Sequence, residues 1–180
     1  MFNAIRKADE YIFKKMSSFH NPVLDKIMVM FTYAGTGGTI WWSILIIPFL
    51  ISRAYRDTGV ILTVALLFNY FLGEIIIKRL VGRDRPSARI SDEDMKINKP
   101  KDHSFPSGHS ASSFCAFIVT LWCCPPWIWI PALIVAIMIS FSRIYLSVHY
   151  LTDVLAGVLL GLFDGTLITL LFRFLIFETM

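Results

Sequence analysis

Apolar residues run along this chain in long uninterrupted stretches rather than on one face of short segments. Residues 27–52 and 58–73 contain no Asp, Glu, Lys or Arg, and neither does the 39-residue run 104–142, which Pro125-Pro126 breaks in the middle. Residues 154–172 carry Asp164 alone. A bilayer core takes about 20 apolar residues per helix. A charge-free run of this length leaves no polar face for water. The pattern predicts helices at about 22–35, 38–53, 58–80, 107–124, 127–146 and 150–173. The expected fold is all-α, an integral membrane bundle of six transmembrane helices. Gly35-Thr36-Gly37-Gly38 predicts a tight turn between the first two. Each of these two is short for a span, so one helix over 27–51, giving five spans, is the alternative.

The first 20 residues have a different pattern. Ile5, Ala8, Ile12, Phe13, Met16 and Phe19 share an apolar face, with Arg6, Lys7, Lys14 and Lys15 on others. This predicts an interfacial amphipathic helix, not a cleavable signal. The expected organisation is an interfacial helix at 1–20 and one transmembrane domain at 21–180.

Composition supports the membrane reading. Hydrophobic residues make up 56% and charged residues 17% of 180, against about 45–50% and about 25% in soluble domains. That excludes a disordered or nucleic-acid-binding tail protein. Three cysteines in apolar surroundings show neither a disulfide framework nor zinc spacing. The charge is uneven. Eight of the 17 Lys and Arg residues lie between positions 78 and 101, and residues 78–102 sum to +3 of the chain's +4. With six spans and both termini inside, this block lies outside, against the usual Lys/Arg bias. As a binding site it carries less weight as a topology signal.

Three clusters carry candidate chemistry. The first is Lys78-Arg79-Leu80-Val81-Gly82-Arg83-Asp84-Arg85-Pro86. Arg suits bidentate phosphate contact and Lys a point-charge contact. Arg79 and Arg83 fit headgroup snorkelling better than Lys78 and Arg85 do. The second is Pro106-Ser107-Gly108-His109, where Pro and Ser open a helix whose free N–H groups favour an anion and His109 can protonate a leaving group. Alone, the same residues simply cap a helix. The third is Ser142-Arg143 with His149 and Asp153. At i and i+4 on a helix opening near 148, Asp153 can accept one ring N–H of His149 and leave the other nitrogen as a nucleophile. Alone, this pair is an ordinary stabiliser of a first helical turn. Together the clusters supply what phosphoryl transfer needs, charge neutralisation and positioning.

The strings K-x6-R-P (Lys78, Arg85, Pro86), P-S-G-H (Pro106 to His109) and S-R-x5-H-x3-D (Ser142, Arg143, His149, Asp153) resemble the three-part signature of the type 2 phosphatidic acid phosphatase superfamily. That superfamily includes lipid phosphate phosphatases and shares its site with soluble vanadium haloperoxidases. The resemblance implies that His149 is the nucleophile, Asp153 orients it and His109 donates a proton. Lys78, Arg85, Ser107, Gly108 and Arg143 would hold the phosphate oxygens. It also implies no metal or cofactor, six membrane helices, and a site on the outer face of the cell membrane. The expected function is hydrolysis of a lipid phosphate or diphosphate, undecaprenyl diphosphate first, with phosphatidylglycerophosphate, phosphatidic acid and a lipid A phosphate as alternatives. The same site also suits phosphate transfer between lipids, and a non-enzymatic lipid-binding or transport protein is the other reading. A metal site would have to draw on His103, His109, His149 and Asp153. The expected partners are the lipid substrate and the bilayer, with no nucleic acid; the oligomeric state is left open.

Other polar residues read as supporting. Glu74, one turn before Lys78, is expected to pair with it. Asp164 lies about 16 Å along a helix from Asp153 and needs a partner that the sequence does not name. Gly157, Gly161 and Gly165 form a small-residue stripe for helix packing.

Overall fold

A computed structural model describes residues 2–174. Within them the regular structure is all helical and no strand occurs, with one long connection over residues 82–107. Helix α1 is Phe2–Ser17, α2 Pro22–Gly35, α3 residues 39–51, α4 Arg56–Val81, α5 Gly108–Cys123, α6 Pro126–Tyr145 and α7 Leu151–Phe172. The starts are specified locally. Asn21 caps α2 by accepting from the Val23 and Leu24 N–H groups, with Pro22 in the first turn. Pro125-Pro126 separates α5 from α6 as expected. Gly82, at φ +59°, ends α4.

The helices run between two ends. At one, Tyr145 at the end of α6 donates to Asp25 (2.6 Å) and accepts from the Asn21 N–H (3.2 Å), which brings the start of α2 there. At the other, Gly59 of α4 lies against Phe49 and Leu50 of α3, and Arg173 donates to the Trp122 carbonyl at 2.6 Å. Residues 22–51 therefore pass once from end to end as a bent 30-residue segment. The bend comes from Gly37 and Gly38, both at positive φ. The two helices and the glycine turn expected here are present, but together they make one pass, not two. Four segments, Pro22–Ile51, Arg56–Val81, Pro126–Tyr145 and Leu151–Phe172, are long and apolar enough to cross a membrane. The 16-residue α5 packs among them.

Helix α1 also departs from expectation. Asp9 pairs with Arg83 at 2.7 Å, so α1 sits at the same end as the 82–107 connection rather than across the membrane from it. Leu67, Phe71, Leu159 and Phe163 are exposed on the outer surface of the bundle. The chain is a multi-pass membrane protein.

The tightest helix pair is α5 against α7. A Cβ on Gly161 would lie 2.1 Å from the Ala111 carbonyl oxygen, and one on Gly157 would lie 2.4 Å from that of Ser107. The glycine stripe lets the two backbones touch, which is how helices associate without a hydrophobic drive. Gly161→Leu is expected to cost about 1–3 kcal/mol by overpacking, seen as a lower Tm in detergent. An unchanged Tm would contradict this contact. Asp164 finds its partner in Asn69 of α4, whose side-chain amide donates to it at 2.7 Å.

Candidate active site

The site forms where α4, α5, α6 and α7 end or begin together. In α4 the helix widens to a π-helical stretch at Phe71–Ile77 just before Lys78, a device common at functional sites. It sets Glu74 beside Lys78 at 2.6 Å, the expected pair. After Gly82 the chain leaves the helix, so Arg85 reaches the site from a loop rather than from two turns along α4. Arg85 is 7% exposed, Lys78 5% and Arg143 4%. Burying three cations this close requires anionic or carbonyl partners.

One partner is a residue that sequence reasoning counted only as offsetting charge. The Asp102 carboxylate accepts from Lys78 Nζ at 2.7 Å and from Arg85 Nη2 at 2.9 Å, while its carbonyl accepts from Arg85 Nε at 2.8 Å. Burial pushes the Asp102 carboxyl up, but the Lys78 hydrogen bond and the charges of Arg85 and Lys78 outweigh it and hold it at about 2. Asp102 thus sits as an anion on the two cations predicted to hold phosphate.

Arg85 Nη1 lies 2.9 Å from His149 Nε2 and also donates to the Val148 carbonyl at 2.9 Å. A guanidinium only donates, so Nε2 accepts and holds the lone pair, and in the neutral ring Nδ1 carries the proton. Burial, then the charges of Arg85, Arg143 and Lys78, hold the His149 pKa well below its ordinary 6.5. The ring is therefore a neutral, buried base whose free electron pair is aimed at the cations.

The His149–Asp153 relation differs from the expected helical pair. Helix α7 opens at Leu151, so His149 precedes it. Its Nδ1 lies 3.7 Å from Asp153 Oδ2 and has no hydrogen-bond partner among the described residues. Asp153 instead accepts from Arg83 Nη1 at 2.6 Å and from the Tyr150 N–H at 2.9 Å. Arg83 is thus not a snorkelling residue but a direct partner of Asp153. The signal for it in the sequence was only one more Arg in a basic string.

His109 stands at the first turn of α5. Its Nε2 is 3.1 Å from the Thr32 carbonyl, which can only accept, so Nε2 is protonated. Thr32 also takes a hydrogen bond from Arg143 Nη1 through its hydroxyl. A threonine in the middle of a charge-free helix thus holds both an arginine and a histidine of the site, and nothing in its sequence context marked it. Ser107 caps α5 and is fully buried, with its hydroxyl accepting from Ser110 and its N–H donating to the Asp153 carbonyl. Glu74 lies where a Cβ on Gly108 would be, 2.0 Å from Oε1.

One cavity of about 570 Å³ unites these groups. Lys78, Arg85, Gly108, His109, Arg143 and His149 line it, while Ser107 and Asp153 lie behind its wall. It continues past Asn69 to Trp42, Leu66, Leu67 and Tyr70. Leu67 and Tyr70 are exposed on the outer surface of the bundle. His103 stands apart from the cavity, near Gly82. Among the described residues no three His, Cys, Asp or Glu side chains are grouped to hold a metal.

A profile of the PAP2 superfamily matches residues 58–177. The chain belongs to the PAP2 superfamily. Its relatives include the phosphatidylglycerophosphatase B of Bacillus subtilis, 30% identical over 89% of this chain and 81% of that one. The undecaprenyl-diphosphatase of Sulfolobus acidocaldarius is 35% identical over 62% of this chain, which spans about half (54%) of that relative's length. Among solved structures, the transmembrane PAP2 type phosphatidylglycerolphosphate phosphatase from Bacillus subtilis matches with a TM-score of 0.79 and 26% identity, covering 96% of this chain and 88% of that one. Aquifex aeolicus LpxE matches at 0.75 and 27%, covering 88% and 92%. The fold is shared with both of these solved structures.

Proposed function

We propose that the chain is a metal-independent lipid phosphatase that hydrolyses a lipid phosphate or diphosphate through a phosphohistidine. The observation that carries this reading is the single cavity running from Lys78, Arg85, Arg143 and His149 to the exposed apolar residues Leu67 and Tyr70. A phosphorylated headgroup fits one end and a hydrocarbon chain the other. The names of three relatives, an undecaprenyl-diphosphatase, a phosphatidylglycerophosphatase B and a lipid A 4'-phosphatase, agree.

In this mechanism the phosphoryl group takes the place of the Asp102 carboxylate on Lys78 and Arg85, with Arg143 as a third cation. Arg85 Nη1 transfers its hydrogen bond from His149 Nε2 to a phosphoryl oxygen. The freed lone pair then forms the N–P bond as the P–O bond to the lipid breaks. His109 gives the leaving oxygen its proton. Water then attacks phosphorus, gives a proton to His109, and the N–P bond breaks to release phosphate. Each step needs fixed charge and one proton carrier, the requirements of phosphoryl transfer in general.

Undecaprenyl diphosphate is the first-ranked substrate, before phosphatidylglycerophosphate, phosphatidic acid and a lipid A phosphate. The reading keeps the site on the outer face of the cell membrane, as the family resemblance implies. The basic residues of α1 and of the 82–107 connection then lie outside together, as headgroup contacts rather than topology signals. The test is phosphate release from these four lipids by the purified protein in proteoliposomes, with and without EDTA. Release from at least one, unaffected by EDTA and blocked by vanadate, is expected. Release abolished by EDTA, or none from any of the four, would overturn the reading.

A further inference from the structure

The most heavily bonded polar cluster outside the cavity joins α1 to the start of α7. Asp9 of α1 is 1% exposed. Its Oδ2 accepts from Arg83 Nη2 at 2.7 Å and from the Thr152 hydroxyl at 2.6 Å, and its Oδ1 from the Thr152 N–H at 3.1 Å. Arg83 turns its other nitrogen, Nη1, to the Thr152 hydroxyl (2.8 Å) and to Asp153 Oδ1 (2.6 Å). Its guanidinium lies 4.2 Å over the Tyr150 ring, and Phe13 of α1 meets the edge of that ring. One arginine is thus held between two buried carboxylates, one on the amphipathic helix and one beside His149.

We infer that Asp9 and Arg83 are positioning residues for the reaction, acting on His149 through Asp153. The inference rests on the assignment of His149 as nucleophile. The geometry gives the reason. A carboxylate shared with one guanidinium at 2.6 Å is fixed in place. It stops 3.7 Å from His149 Nδ1, beyond the roughly 2.7–3.2 Å of a hydrogen bond. When Nε2 bonds to phosphorus the ring becomes cationic, and Asp153 is then the anion facing its Nδ1–H. Asp9 matters because it shares the charge of Arg83. With Asp9 present, Asp153 keeps negative charge to offer the ring; without it, the whole guanidinium charge falls on Asp153.

The two residues therefore act on His149 with opposite sign. The groups around His149 are Lys78 from α4, Arg85 and Asp102 from the connection, His109 from α5, Arg143 from α6 and Asp153 from α7. Neutralising Asp9 removes a negative charge from this surround and lowers the pH at which His149 protonates. Removing the charge of Arg83 raises it. A purely architectural link between α1 and α7 predicts no such pair of opposite shifts.

The experiment compares Asp9→Asn, Arg83→Gln, Arg83→Lys and His149→Ala with the unaltered protein, by pH profiles of phosphate release in proteoliposomes. Asp9→Asn is expected to lower kcat by ~10- to 100-fold, the range seen when a group orienting a catalytic ligand is lost, with KM little changed. Its acid limb moves to lower pH. Arg83→Gln moves that limb to higher pH, and Arg83→Lys, which keeps the charge but not the fork, leaves it in place with reduced kcat. If Arg83→Gln does not fold, the Asp9→Asn and Arg83→Lys profiles decide. Unaltered kcat in both, or reduced kcat with an unmoved acid limb in Asp9→Asn, overturns the inference while an inactive His149→Ala leaves the site reading standing. An active His149→Ala overturns the site reading itself.

Discussion

Replacing His149 by alanine is expected to cut phosphate release by about 10⁴-fold or more, the scale on which enzymes lose turnover with their covalent nucleophile. The expectation rests on the tautomer that Arg85 fixes, with the Nε2 lone pair turned to the cations. Trapping with ³²P-labelled lipid should label the unaltered chain in an acid-labile, base-stable manner and leave His149→Ala unlabelled. A residual rate within tenfold of the unaltered protein would contradict the role. The depressed pKa gives the pH dependence its sign. The buried ring stays neutral below 6.5, so the active form persists into mildly acidic solution. The unfolded chain takes up a proton at this position as pH falls through 6.5, so the contribution of His149 to stability declines from there downward.

The second large effect is expected at His109. Alanine there should lower the rate by about 10²–10⁴-fold, the usual worth of a general acid. The loss depends on the leaving group. An alkoxide, as from a phosphomonoester lipid, needs the proton; a phenolate or a phosphate leaving from a diphosphate needs it much less. The ratio of unaltered to variant rate should therefore be largest for phosphatidic acid and smallest for an aryl phosphate. Equal ratios for the two would separate His109 from proton donation. Thr32, which accepts from Nε2, belongs to the same unit.

The helices were legible because charge-free runs and paired prolines leave little choice in a bilayer, and the boundaries at 22, 35 and 126 follow from Asn21-Pro22, the glycines after Ala34 and Pro125-Pro126. The path of residues 22–51 was not. Two glycines between apolar runs predict a turn equally well for a hairpin and for a bent rod, and only the contacts of Asn21 with Tyr145 and of Leu50 with Gly59 decide. Six signature residues were legible as a set because phosphate chemistry calls for those types, and they do line one cavity. Asp102, Arg83, Asp9 and Thr32 were not legible. Each owes its place to a partner from 17 to 111 positions away, and nothing local distinguishes a solvated carboxylate from one clasped by two cations. The His149–Asp153 spacing misled for a related reason: i and i+4 imply a shared face only if both residues are helical.

The Asp102 carboxylate gives the resting site an internal counter-ion. Lys78, Arg85 and Arg143 are offset by Asp102 and Glu74, so the cavity does not present three unbalanced charges to the solution. Any anion arriving at Lys78 and Arg85 enters by exchange, because one negative group must leave as another settles. With its carboxyl held at about 2, Asp102 does not yield its place by taking a proton at ordinary pH. It leaves only to a ligand that satisfies both cations better, which a dianion with three oxygens does and a small monovalent ion does not.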